Sequence, residues 1–242
     1  MNRGAPAKAG HGGSHASACD QCTVRHRAIC SAVDFDHTAD LDALVGHRDL
    51  AAGRSIFEEG DDGGTVFNIS AGEVRLYKLL PDGRRQITGF LRPGDFLGLS
   101  SHGAYAYSAE AMTNVSLCVF RIGDLEKLFD AFPKVRNRML EKANDELAVA
   151  QEQMLLLGRK TAREKVLSFL LRRGRHEDDD GYNPEVSVPM TRSDIADYLG
   201  LTVETVSRTF TALREEGLIE TPSAHSVFLP NIKRIKDIAG AF

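Results

Sequence analysis

Residues 191–208 read TRSDIADYLGLTVETVSR, a pattern that few folds can use. Two short amphipathic runs flank Gly200, with Ile195, Ala196, Leu199, Leu201, Val206 and Leu213 as their apolar positions. Thr202 is suited to cap the second run, and Gly217 to stop it. The spacing predicts helices over about 192–199 and 202–216, the elements of a helix-turn-helix. Glu204, Ser207 and Arg208 stand at i, i+3 and i+4 and therefore share one helix face. In a DNA major groove, glutamate accepts from cytosine N4, serine serves either base, and arginine bridges guanine O6 and N7. The bland alternative is a surface pair between Glu204 and Arg208, about a few tenths of a kcal/mol. The two readings are compatible, because such a pair preorganises the arginine fork.

The neighbouring sequence extends this module. Thr161 with Glu164 forms a capping-box signature for a helix to about Arg172, whose core face is Val166, Leu167, Phe169 and Leu170. Residues 185–189 read as a short strand, and residues 218–220 and 226–229 as a small hairpin, the wing of a winged helix-turn-helix. The formal net charge of −4 argues against a broadly basic coat, but a sequence-specific reader needs only a local positive face. Basic residues do collect in this half, from Arg159 to Lys236, interrupted by the acidic run 177–180, which reads as a solvated loop.

Residues 50–121 follow a different rhythm. Gly60, Gly72, Gly83 and Gly94 sit in turn signals spaced by 12, 11 and 11 residues, as in short antiparallel strands of a sandwich or barrel. Strand-like runs lie between them (TVFNI at 65–69, EVRLY at 73–77), and NVSLCVFR at 114–121 alternates. Near Pro133 the period changes to helical. Val135, Met139, Ala143, Leu147, Ala150, Met154 and Leu157 recur at steps of three and four, one apolar stripe over about six turns. Such a helix, roughly 35–40 Å long, outreaches a small domain, so the stripe is expected to pair with a second copy of the chain.

Composition adds exclusions. An apolar content of 42% with 26% charge fits globular cores, and no apolar run reaches bilayer length, so no membrane span is expected. Residues 1–18, rich in Gly, Ala, Ser and His, lack the apolar centre of a secretory signal and are expected to be a disordered tail in a cytoplasmic protein. His11, His15 and His26 add little beyond solvated or neighbouring roles. Four cysteines occur, Cys19, Cys22 and Cys30 close together and Cys118 far away. In a reducing compartment this set suits metal rather than disulfides. Four thiolates serve either a [4Fe–4S] cluster or a tetrahedral zinc, and Cys118 by periodicity alone could be a small buried hydrophobe. A thiol oxidoreductase using Cys19 and Cys22 is the enzyme alternative, but it lacks the βαβ context of a redox CxxC, and no enzyme activity is expected.

A β-module, a long helix and a winged helix-turn-helix carrying LGLTVETVSR, in this order, resemble the CRP/FNR family of bacterial regulators over nearly everything after residue 19. The fold implied is α+β: an N-terminal double-stranded β-helix (a cyclic-nucleotide-binding-like jelly roll), a long dimerisation helix and a C-terminal winged helix-turn-helix. The domains run 19–131 (ligand segment and sensor β-roll), 132–158 (dimerisation helix) and 159–242 (DNA-binding domain). The Glu-x-x-Ser-Arg face resembles the FNR/FixK branch. The resemblance implies that Glu204, Ser207 and Arg208 read a TTGAT-type half-site, with Val203 on a thymine methyl. It also implies that Asp82, Gly83 and Arg84, in the loop before QITGF at 86–90, touch RNA polymerase.

The resemblance further separates the branches. Cyclic-nucleotide readers carry a ribose-binding Gly-Glu turn and a phosphate-binding Arg; the corresponding residues 92–99 and 105–109 have neither, so no cyclic nucleotide is expected. Cys19, Cys22, Cys30 and Cys118 match the branch members that hold an oxygen-labile [4Fe–4S] cluster, with the x7 gap of FnrN-like members. Ala150 stands where some oxygen-switched members place an acidic residue opposing pairing. The implied function is an oxygen-responsive, mainly activating regulator of anaerobic genes, binding a palindromic operator on double-stranded DNA as a homodimer. The runner-up is a FixK-like regulator of microaerobic or nitrogen-fixation genes with no cluster-based sensing.

Overall fold

A computed structural model describes residues 18–175 and 181–240. The tail expected over residues 1–18 and the acidic run at 177–180 therefore lie outside the described residues, apart from Ala18. After three 3-10 turns (Arg25–Arg27, Ile29–Ala32, Phe35–His37) comes the short helix α1 (Thr38–Asp42). Ten strands follow: β1 (Gly46–Leu50), β2 (Ser55–Phe57), β3 (Thr65–Ala71), β4 (Val74–Leu79), β5 (Arg85–Leu91), β6 (Phe96–Leu97), β7 (Ser100–Ser101), β8 (Ala104–Tyr105), β9 (Ser108–Ala111) and β10 (Val115–Arg121). They form two four-stranded sheets, ordered β1-β10-β3-β6 and β2-β9-β4-β5, with β7-β8 as a separate hairpin. Ile56, Phe67, Ile69, Val74, Leu76, Val115 and Leu117 fill the space between the sheets. Gly60, Gly72, Gly83 and Gly94, the rhythm legible in the sequence, all adopt positive φ.

Helices α2 (Ile122–Ala131) and α3 (Pro133–Arg159) lead away from the roll. The long helix begins where expected, with Pro133 in its first turn. Helix α2 was not anticipated, although Ile122, Leu125, Leu128 and Phe129 recur at helical spacing. The C-terminal domain contains α4 (Ala162–Gly174), β11 (Glu185–Ser187), α5 (Arg192–Leu199), α6 (Val203–Glu215), β12 (Glu220–Ser223), β13 (Ser226–Phe228) and α7 (Ile232–Ala239). The wing is a three-stranded sheet, β11-β13-β12. Capping boxes close at Thr161 with Glu164 and at Thr191 with Asp194. The terminal helix α7 is a second element the sequence reading lacked; it packs Ile235 and Ala239 into the core of this domain.

The apolar stripe of α3 does not stay on one partner. Val135 is completely buried, and Met139 partly, against the 3-10 turns and α2 of the same chain. Leu157 packs against the core of the winged domain. Those three positions were expected to face a second chain, and the chain's own domains occupy them instead. Between them an exposed seam remains: Leu140, Leu147 and Met154 are 62%, 57% and 66% exposed, with Ala143 and Ala150 between. Steps of three and four between these positions make a heptad seam that starts at Leu140 rather than Val135. No helix among the described residues is long and apolar enough to cross a membrane.

Candidate functional site

Strand β10 positions the first site. Its alternation points Val115 and Leu117 into the roll, while Cys118 and Phe120 face the other way. Cys118 pairs with His47 on β1 and with Asn68 on β3, in the middle of its sheet. The N-terminal segment crosses this outer face with Ala28, Ile29 and Val33 buried, and it brings Cys19 and Cys30 with it. All four cysteines, together with Arg25, Leu41, His47, Asn68 and Phe120, line one cavity of about 230 Å3. All four are free thiols. Among the described residues no three His, Cys, Asp or Glu side chains meet as ligands of one ion.

The electrostatics of this cavity are pronounced. Burial pushes the Cys19 thiol up to about 12, and the Asp42 carboxylate and the charges of Cys30 and Cys118 add to the rise. Burial likewise lifts Cys118 to about 12 and Cys30 to about 11. The Arg25 guanidinium opposes the rise at Cys30. His47 Nε2 lies 3.6 Å from Asp42 Oδ1. Sequence reasoning passed over Arg25, which the cavity identifies, and Asp42, which acts on Cys19 and approaches His47 from beside it.

The second site is the exposed face of α6. Gly200 ends α5 in the left-handed conformation, and the Thr202 side chain accepts from Thr205 N at 3.2 Å to start α6. Val206, Phe210 and Leu213 anchor the buried side of that helix. Val203, Glu204, Ser207 and Arg208 are exposed together at its N-terminal end. The Glu204 carboxyl is held below its ordinary value by its own backbone N–H, the Thr202 hydroxyl and the nearby Arg208 charge. Behind this face the buried Lys165 ammonium donates to Leu199 O at 3.1 Å, holding the end of α5 against α4.

The two domains meet through the β4–β5 hairpin. Its tip, Asp82, Gly83 and Arg84, is exposed, with Arg84 Nε donating to Asp82 Oδ2 at 2.8 Å. Its base is docked on the winged domain. Ile87 is fully buried in that domain's core, and the Phe90 ring stands 5.1 Å from Tyr198 and 6.1 Å from Phe169. Gln86 donates to Asp197 O at 2.6 Å. Arg173 of α4 meets Glu73 at 2.7 Å. The motif QITGF thus joins the β-roll to the winged domain, a role that spacing alone could not reveal.

Comparison with known proteins agrees with this architecture. The family model for a cyclic nucleotide-binding domain matches residues 47–132, and that for a Crp-like helix-turn-helix domain matches residues 164–238. The chain is 44% identical over 202 residues to the nitrogen fixation regulation protein FixK of Bradyrhizobium diazoefficiens, covering 83% of this chain and 85% of that protein. It is 37% identical over 227 residues to the transcriptional activator protein FnrL of Cereibacter sphaeroides, covering 92% of each. The solved structure of FixK2 from Bradyrhizobium japonicum aligns with a TM-score of 0.73 at 36% identity, over 80% of this chain and 96% of that one. A roll, a long helix and a winged helix-turn-helix in this order, with these relatives, make the chain a member of the CRP/FNR family of transcription regulators, in its FNR/FixK branch.

Proposed function

We propose that this DNA-binding regulator is an oxygen-responsive activator that reads a TTGAT-type palindrome as a dimer under low oxygen, with Cys19, Cys22, Cys30 and Cys118 holding a [4Fe–4S] cluster. One observation carries the reading: Cys118, far away in sequence, joins the three N-terminal thiols in lining a single cavity whose outer wall packs on the start of α3. The donor set fits the group. Four free thiols lining one cavity are the number that a [4Fe–4S] core takes. Arg25, buried in the same wall with two unpartnered N–H groups, suits an anionic occupant. Thiols kept protonated by burial become ligands only where metal replaces the proton.

When bound, such a cluster supplies an oxygen-labile cross-link among its four thiolates. The residues then do the rest. With the N-terminal segment tied to β10, Ile29, Val33 and Val135 pack in one apolar cluster and set the direction of α3. The seam of Leu140, Leu147 and Met154 pairs with its copy, and two α6 helices enter successive major grooves about one helical turn apart. Without the cross-link only apolar packing holds the segment, and the population shifts towards monomers. Ala150 sits exposed on this seam. No acidic charge opposes pairing at that position, so the oxygen response is shallower than in members that have one. The exposed tip of Asp82, Gly83 and Arg84 is the surface offered to RNA polymerase.

The test is anaerobic purification, iron and sulfide analysis, and operator binding before and after air. Cluster-loaded protein that loses its affinity in air is the expected result; identical binding in both states overturns the oxygen switch. The 44% identity to a protein named FixK supports a second reading, in which the regulator works without a cluster. That version predicts no sulfide and no change in air.

A further inference from the structure

Arg25 is the most unusual charged residue in the described chain. It lies in the first 3-10 turn, between Cys22 and Cys30, and is only 6% exposed. Its Nη2 donates to Val33 O, and its guanidinium carbon stands 4.2 Å from the centre of the Phe35 ring. The other two nitrogens, Nε and Nη1, are buried and have no hydrogen-bond partner. The side chain lines the same cavity as the four cysteines. Its charge already acts on Cys30.

A desolvated guanidinium with unmet donors is costly unless an anion answers it. The ring of Phe35 and the carbonyl of Val33 fix the group in place, but neither satisfies those two nitrogens. Four thiolates around a dicationic [4Fe–4S] core make a net dianion, which is the missing partner by both charge and acceptor chemistry. We infer that Arg25 is the cationic partner of the group bound by Cys19, Cys22, Cys30 and Cys118, and that its Nε–H and Nη1–H donate to sulfur in that cavity. This inference rests on the cluster reading above. Arg25 acts as a positioning residue rather than a ligand. A cation and N–H donors beside the sulfurs stabilise the more reduced, more negative state of the cluster and so raise its potential. A purely structural arginine, serving only Val33 and Phe35, has no such effect.

The experiment compares anaerobically purified full-length wild type with Arg25→Leu and Arg25→Lys. Three quantities are read: iron and sulfide content, the cluster's reduction potential by redox titration, and the decay of visible absorption in air. The expected result is a more negative potential in Arg25→Leu and cluster loss about tenfold faster. Arg25→Lys, which keeps the charge but not the fork, falls between. A loaded Arg25→Leu protein with the wild-type potential and decay overturns the inference and leaves the cluster reading intact. A wild type with neither iron nor sulfide overturns both. If Arg25→Leu fails to fold or load, Arg25→Lys decides: a lowered potential or faster loss supports the inference, and identity with wild type overturns it.

Discussion

Arg85 of β5 meets Asp194 Oδ1 of α5 at 2.7 Å, and Arg75 of β4 meets the same oxygen at 3.0 Å. That carboxylate is 2% exposed and also closes the capping box of α5, accepting from Thr191 N and Oγ1 at 3.1 and 2.7 Å. One side chain therefore caps the first helix of the helix-turn-helix and latches the β-roll to it. Burial alone would raise the Asp194 carboxyl. The Thr191 donors and the two guanidinium groups outweigh it and hold the group below its ordinary value.

Asp194→Asn removes the charge while leaving most of the cap. Two arginines at the domain junction lose their common partner, and unfolding free energy falls by about 2 kcal/mol. Because the folded carboxyl is depressed, its stabilisation is whole above the unfolded value of about 3.9 and is lost as pH falls through the lower folded value. Chemical denaturation of wild type and variant across acidic pH should show this: the variant lacks that part of the acid-dependent loss.

Arg208→Ala is expected to weaken operator binding by about 1–3 kcal/mol at its guanine and to relax discrimination at that position. Binding to a panel of operators substituted base by base measures this. A uniform loss across all sequences would assign Arg208 to a phosphate instead.

The seam and the buried end of α3 should respond differently. Leu147→Glu places charge at an exposed position repeated by two-fold symmetry, weakening pairing by about 3 kcal/mol or more, roughly a hundredfold in Kd, with little change in monomer stability. Val135→Ala opens a cavity beneath the cysteine segment and lowers stability by about 2 kcal/mol. Analytical ultracentrifugation with thermal denaturation separates the two, and a stable dimer of Leu147→Glu would remove the seam as the interface.

Gly200 holds φ at +60°, and a Cβ there would come 3.3 Å from Leu157 Cδ2. Gly200→Ala therefore combines left-handed strain with crowding from α3 and is expected to destabilise the winged domain by about 1–2 kcal/mol. Denaturant unfolding gives the value. Unchanged stability would mean that the turn relaxes.

Local physics determined much of this protein without reference to its fold. Glycines at near-regular spacing marked the turns of the roll, Thr161 and Thr202 marked two helix starts, and Gly200 and Gly217 marked two stops, because caps and turns depend on neighbours in the chain. The exposed face of α6 was legible for the same reason, since helical period alone gathers Glu204, Ser207 and Arg208. Periodicity also found the apolar stripe of α3, but it cannot say what an apolar residue will touch. The tertiary structure divided that stripe, giving Val135 and Met139 to the N-terminal turns and α2 and Leu157 to the winged domain, and leaving Leu147 and Met154 exposed beside Leu140, which the stripe had not included. Spacing likewise identified four cysteines, while only the packing of the N-terminal segment across β10 brought them to one cavity with Arg25. The latch of Arg75 and Arg85 on Asp194 left no trace in sequence pattern, because its partners lie more than a hundred residues apart. Contacts at that separation are decided by how whole elements pack, and no local preference encodes them.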